Sequence, residues 1–184
     1  MHPWLHFKTI TRHKLLVMYY CFRAGMYKQG LLHDLSKYAP VEFLVGCKYY
    51  QGDRSPNNAE REDTGISKSW LHHKGRNKHH FEYWVDYVPG DEHIINGVPM
   101  PRKYIAEMVM DRISASRNYL GDKYDQHQPL DYYLKGKEKL WFIHPKTKRD
   151  LEGLLLILND HGEEVLISYI KNVYLKKDKA LGRV

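Results

Sequence analysis

Cysteine is nearly absent from this chain: Cys21 and Cys47 are the only two in 184 residues. Both stand among apolar or aromatic neighbours, which reads as core and argues against a disulfide framework or a thiolate metal site. A reduced, cytoplasmic protein is expected. Long apolar runs are missing as well, and nothing approaches the ~20 residues that a membrane-spanning helix needs. The opening MHPWLHFKTITRHK has no apolar run followed by small residues, so no secretory signal is expected. Strand signal is sparse, and there is neither an internal repeat nor a low-complexity tail. The formal net charge of +7 suits anionic small molecules or nucleic acid without requiring either.

What the chain does have is helical periodicity. With 42% hydrophobic residues it can bury one substantial core, which favours a single domain over residues 1–184. Ile10, Leu15, Tyr19 and Phe22 recur at helical spacing over residues 8–24, and Gly25 is a stop. A shorter helix over KQGLLHDLSKY ends before Pro40, because a proline disfavours helical geometry in the residue before it. The next helix begins near Pro40, with Val41, Phe43, Leu44 and Cys47 as its apolar positions. Residues 51–67 are polar and turn-rich and read as a loop. VPGDEHIINGVPMPRK reads as loop or short hairpin with Asn96-Gly97 as its turn. A long helix follows Pro101, with Tyr104, Met108, Ile113 and Leu120 on or near one face. Two C-terminal helices are separated around Gly162.

The chemistry concentrates in histidines and a few carboxylates. WLHHKGRNKHHFEYW, residues 70–84, places four histidines within nine residues. Trp70, Leu71, Phe81, Tyr83 and Trp84 would anchor both edges of that stretch in the core. His33 and Asp34 are adjacent in GLLHDLSKY, and neighbouring donors near a helix end can converge on one ion of the zinc, iron or manganese type. His13 lies twenty residues upstream. Asp111 stands among Met108, Met110 and Ile113 in the long helix, where a carboxylate is costly to bury unless it is paired or metal-bound. Arg112 is the alternative partner for it.

The order His13, His33-Asp34, the histidine cluster and Asp111 resembles the HD-domain superfamily of metal-dependent phosphohydrolases. The resemblance spans about residues 8–118. It implies an all-α, HD-like helical bundle with a long loop region between early and late helices, and with helices from 128–178 packed on the metal-site core. It also implies that His13, His33, Asp34 and Asp111 hold one divalent ion. In dinuclear members extra histidines in the interval hold a second ion and the central aspartate bridges both. His73 and His80 are the first choices here, His79 is close behind, and His72 orients a neighbour or faces solvent. Lys37 matches the His-Asp-x-x-Lys form in which the lysine lies near substrate. The glycine-tyrosine-proline signature of the cyclic-dinucleotide branch is absent, so that substrate is not implied.

The function expected from this resemblance is metal-dependent hydrolysis of a phosphate ester, on a nucleotide or related small phosphorylated molecule. One or two divalent ions would be the cofactor, and the donor types do not choose among Mn, Fe, Zn, Ni, Co and Mg. Lys37 and Arg76 would bind phosphate oxygens, and Asn77 would orient a phosphate or hold the loop. Glu42 would support the site from the next helix or lie at the surface. Two alternatives stand beside this reading. One is a di-iron oxygenase of the same superfamily, which cleaves a carbon bond with O2. The other is a nucleic-acid-binding module using the basic tail IKNVYLKKDKALGR.

Overall fold

Pro3 opens α1 (Pro3–Arg23), where a missing amide hydrogen costs the helix nothing, and Gly25 at φ 77° turns the chain out of it. The computed structural model describes residues 1–90 and 94–176. After α1 come α2 (Tyr27–Leu32), a 3-10 turn over Leu35–Tyr38, α3 (Pro40–Lys48), α4 (Pro56–Thr64) and α5 (Lys68–Lys74). A hairpin of β1 (Val85–Tyr87) and β2 (Ile95–Gly97) then leads to α6 (Arg102–Leu120), α7 (Gln128–Gly136) and α8 (Pro145–Tyr169). A π-helical turn over Ile170–Tyr174 follows. The architecture is an all-α helical bundle carrying one small two-stranded sheet among the described residues.

Three helices supply most of the core. Val17, Tyr20 and Cys21 of α1 meet Ile105, Val109 and Ile113 of α6, and Leu151, Leu154, Leu155 and Leu158 of α8 close the third side. Full burial of each aliphatic side chain contributes roughly 1.5–3 kcal/mol. α7 covers this core with Leu130 and Tyr133. Gly162, at φ 81°, breaks the helical geometry of α8, at the point expected to separate two helices. Among the described residues, no helix is long and apolar enough to cross a membrane.

Several sequence expectations are corrected. α1 starts at Pro3 rather than residue 8, and its buried stripe is His6, Ile10, His13, Val17 and Tyr20, with Leu15 and Tyr19 turned outward. In α3 the exposed positions are Val41 and Leu44, whereas Glu42 is buried. The inner faces near the site are polar, so the apolar stripe does not mark the inside there. The helix expected over residues 28–38 is broken at His33-Asp34, where Asp34 takes φ 53°. Residues 51–67 are not all loop: they contain α4, which has no apolar stripe to announce it.

The hairpin is present, but Asn96-Gly97 lies within β2, Asn96 opposite Asp86 and Gly97 opposite Val85. Glycine is needed at 97 for a different reason, because a Cβ there would run into the backbone of Phe142 and His144. Residues 91–93 of the expected hairpin, and residues 177–184 of the basic tail, lie outside the described residues.

Candidate metal centre

Asp34 sits at the middle of the buried polar cluster. It follows the last turn of α2 in a left-handed conformation, which an aspartate tolerates better than most residues and which takes it out of the helical path. Its two oxygens face two different groups of donors. Oδ2 lies 3.3 Å from Nε2 of His33 and 3.7 Å from Nε2 of His13, and His13 Nε2 is 2.9 Å from Oδ1 of Asp111. Oδ1 lies 3.4 Å from Nε2 of both His73 and His79.

Two overlapping donor sets share Asp34: His13, His33, Asp34 and Asp111 form one, and Asp34, His73, His79 and His80 form the other, while His33, His79 and Glu107 make a third, smaller group. Within each set the ligand atoms lie within 4.8 Å of one another. These buried groups could hold a metal ion, and imidazole with carboxylate is a donor mixture that suits divalent transition metals. Asp34 belongs to both sets, one oxygen toward each.

The hydrogen bonds at the outer ring nitrogens explain why the inner ones converge. His33 Nδ1 is 3.0 Å from Oε1 of Glu107, and His79 Nδ1 is 3.2 Å from the same oxygen. His73 Nδ1 is 2.8 Å from Oε2 of Glu42, whose Oε1 takes His72 Nδ1 at 2.6 Å. An ionised carboxylate can only accept, so His33, His79 and His73 donate through Nδ1, which turns Nε2 of each inward. Carboxylates that bond the outer nitrogen of a histidine in this way are the partners that orient histidine ligands where a metal is bound. Nε2 of His13, His33 and His79 and both Asp34 oxygens are buried without a well-directed hydrogen bond. Buried polar atoms without a well-directed hydrogen bond are costly, and these five, gathered on the two sides of Asp34, fit bound cations.

Charge states agree with that role. Burial pushes the Asp34 carboxyl up, but His33, Lys37 and His73 outweigh it and hold it well below the ordinary carboxylate range. Asp111 is held low in the same way by His13 and His33 against its burial. Burial lowers His13, with Lys37 adding to the effect. Burial together with the His79 and His73 rings lowers His80 strongly, which leaves it neutral as a ligand must be. Only His33 goes the other way: burial opposes its protonation, but Asp34, Asp111 and Glu107 surround it and raise it well above the usual imidazole range. The cluster of carboxylates draws in positive charge, and a bound cation would replace that proton.

The remaining predicted residues are placed as follows. Lys37 Nζ is 2.7 Å from Oδ2 of Asp34, at the edge of the centre. Asn77 is buried, donates to Ser36 Oγ at 2.8 Å and to the His73 carbonyl at 2.8 Å, and its amide nitrogen also lies 3.1 Å from Nδ1 of His73, so it holds the loop against that ring. Arg76 is exposed, with its guanidinium on the carbonyl of His72, and is not brought to the cluster. His72 bonds Glu42 outside both donor sets. Asp111 pairs with His13 and His33 rather than Arg112, which lies over the rings of Phe81 and Tyr133. Of the five expected anchors, Phe81 and Trp84 pack on the core and Trp70 packs on His73 and His80. Leu71 and Tyr83 are exposed instead.

Two contributors were not foreseen. Glu107 stands one turn before Asp111 on α6, on the same face, and that four-residue spacing between two acids was the available signal. Glu60 of α4 is buried and accepts from Ser67 Oγ at 2.6 Å and the Lys68 amide at 3.1 Å, which fixes the start of α5 and with it His72 and His73.

Comparison with known proteins adds a family without a function. Neither the curated proteins nor the solved structures contain a match to this chain. A family model described as "Family of unknown function (DUF5662)" matches residues 2–156, and the chain belongs to that family.

Proposed function

We propose that this member of the DUF5662 family is an HD-domain-like, metal-dependent hydrolase of phosphate esters, acting on a nucleotide or a related small phosphorylated molecule. The observation that carries the proposal is Asp34, one carboxylate shared by two sets of converging donors. The chain order of those donors, His13, His33-Asp34, the His73–His80 stretch and Asp111, is the order that resembles the superfamily. Divalent ions bound there would lower the pKa of water and offset charge on phosphoryl oxygens.

The chain's own residues supply the rest. Glu107 and Glu42 fix the ring tautomers of His33, His79 and His73 and keep Nε2 lone pairs inward. Lys37 brings a cation to the edge of the centre, where a phosphate oxygen would be met by charge-assisted hydrogen bonding. Burial of Asp34, His33 and His79 removes competing water and strengthens each of these interactions.

The test is elemental analysis of the purified protein followed by a screen of phosphate esters with added manganese. Two equivalents of metal and metal-dependent release of phosphate are expected. Two irons, oxygen consumption and no ester hydrolysis would instead establish the oxygenase reading on the same donors.

A further inference from the structure

α1 carries an apolar stripe on its outer side as well as its inner one. The inner stripe, with His13 and Val17 at its middle, is buried in the bundle. Opposite it, Trp4, Phe7, Thr11, Leu15, Met18 and Phe22 recur at spacings of three and four residues, with Tyr19 beside them. At 3.6 residues per turn these positions lie within about 60° of one line along the helix. The face is open: Trp4 is 66% exposed, Leu15 53% and Tyr19 54%. α2 widens it on one flank. Tyr27 packs on Phe22 with ring centroids 5.2 Å apart, and the Leu31 carbonyl takes Lys14 Nζ at 2.8 Å, while both residues keep more than half of their surface exposed. Together these apolar side chains expose on the order of 700 Å², taking ~150–250 Å² for a whole aromatic side chain. The largest apolar patch of an ordinary monomer is about 300–600 Å², and one side of a stable interface is about 800 Å².

The order of residues in the stripe says what fits it. It is symmetric about residue 13: Trp4 mirrors Phe22, Phe7 mirrors Tyr19, Lys8 mirrors Met18, and the smaller Thr11 mirrors Leu15. Two identical helices packed antiparallel about a two-fold axis bring each of those pairs face to face, because an isologous interface requires that residue i meets j and j meets i. Lys8 then meets Met18 rather than another cation. Lys14 and Arg23 are held by their own chain, on the carbonyls of Leu31 and His33 and on Glu164. The rival occupant is an anionic lipid surface, since no Asp or Glu precedes Asp34. A lipid surface, however, makes no demand for mirror order.

We propose that this chain forms a two-fold homodimer through α1, packed antiparallel on α1 of the second copy, with Thr11 and Leu15 at the centre and aromatic rings at both ends. The seam runs over residues 4–22, about 27 Å of helix. Aromatic residues and methionine are the types enriched in such interfaces. His13 leaves the same helix on its other side, toward Asp111, so the metal centre stays outside the seam. The inference is independent of the hydrolase reading.

Sedimentation equilibrium of the full chain should give twice the chain mass at micromolar concentration. Leu15→Lys, at an exposed position, should leave circular dichroism and metal content unchanged. It should raise the dissociation constant of the dimer about 100-fold or more, because the residue enters the interface twice and a central contact is worth tenfold or more. A second measurement does not depend on that variant. Thr11→Cys mixed with Leu15→Cys should form a disulfide-linked pair under mild oxidation faster than either does alone, the native Cys21 and Cys47 being buried. A monomeric wild type overturns the dimer, and co-sedimentation of that monomer with phosphatidylglycerol vesicles but not phosphatidylcholine vesicles would give the face to a lipid surface instead. A dimer that Leu15→Lys leaves intact, or faster cross-linking of Leu15→Cys with itself than with Thr11→Cys, places the two-fold axis elsewhere and overturns the arrangement.

Discussion

Glu107 joins the two halves of the centre through His33: its Oε1 is 3.0 Å from Nδ1 of that ring and 3.2 Å from Nδ1 of His79, whose inner nitrogens face opposite oxygens of Asp34. One carboxylate on α6 thereby orients a donor in each set. Glu107→Gln preserves shape but replaces the charged acceptor by an amide. Loss of such an outer partner typically costs 10–100-fold in metal affinity. A weakening of about that size is expected in competition with a chromogenic chelator, with the circular dichroism of the variant unchanged. Wild-type affinity in the variant would remove Glu107 from the site.

Metal that binds only the folded chain must stabilise it. At metal concentrations 100-fold above the dissociation constant, linkage gives about 2.7 kcal/mol, or roughly 5–10 °C in melting temperature for a chain of this size. Chelation should lower the transition by that amount, and added manganese should restore it. A melting curve that does not move after verified metal removal would leave the five orphaned inner atoms without the cation proposed for them.

The legibility of this site in the sequence was uneven for a physical reason. His13, His33, Asp34 and Asp111 could be named as a set because their order along the chain resembles that of the HD-domain superfamily, and the fold brings them together. The burial of α1 and α3 was misread because periodicity arguments assume that the apolar face is the inner one. Here His6, His13 and Glu42 point inward, and Leu15, Tyr19, Val41 and Leu44 point out. α4 went unseen because Glu60 and its hydroxyl partners tie it in place, and such contacts leave no periodic trace. Asn96-Gly97 carries a turn signal, yet Gly97 serves close backbone approach.

That last distinction is testable by comparing two glycines. Gly97→Ala would force a methyl group against the backbone of Phe142 and His144 and should destabilise by about 1–3 kcal/mol, as overpacking does. Gly153 lies exposed within α8 with nothing within 4 Å of an added Cβ. Gly153→Ala should therefore stabilise by roughly 0.5–1 kcal/mol through helix propensity. Denaturant unfolding of both variants checks the opposite signs, and equal effects would contradict the packing described for the hairpin.

The histidine stretch decides between one ion and two. His73 and His80, whose Nε2 atoms lie 3.0 Å apart, belong only to the second donor set, whereas His13 and Asp111 belong only to the first and His33 stands outside the second. Replacing His73 and His80 together by alanine should remove one equivalent of metal and leave one. Hydrolysis should fall by about 100-fold or more, because displacement of reacting groups by even an ångström is enough for that. Stability should fall far less, since Phe81 and Trp84 still pack on the core. Some loss is expected even so, about 1–3 kcal/mol, because Glu42 keeps a buried oxygen without its His73 partner. His72→Ala provides the control: it removes the other Glu42 partner without touching either donor set, so metal content should stay at two equivalents. A double variant that retains both ions and full turnover would show that the cluster is not a ligand set, and a mononuclear centre on His13, His33, Asp34 and Asp111 would then be the surviving account.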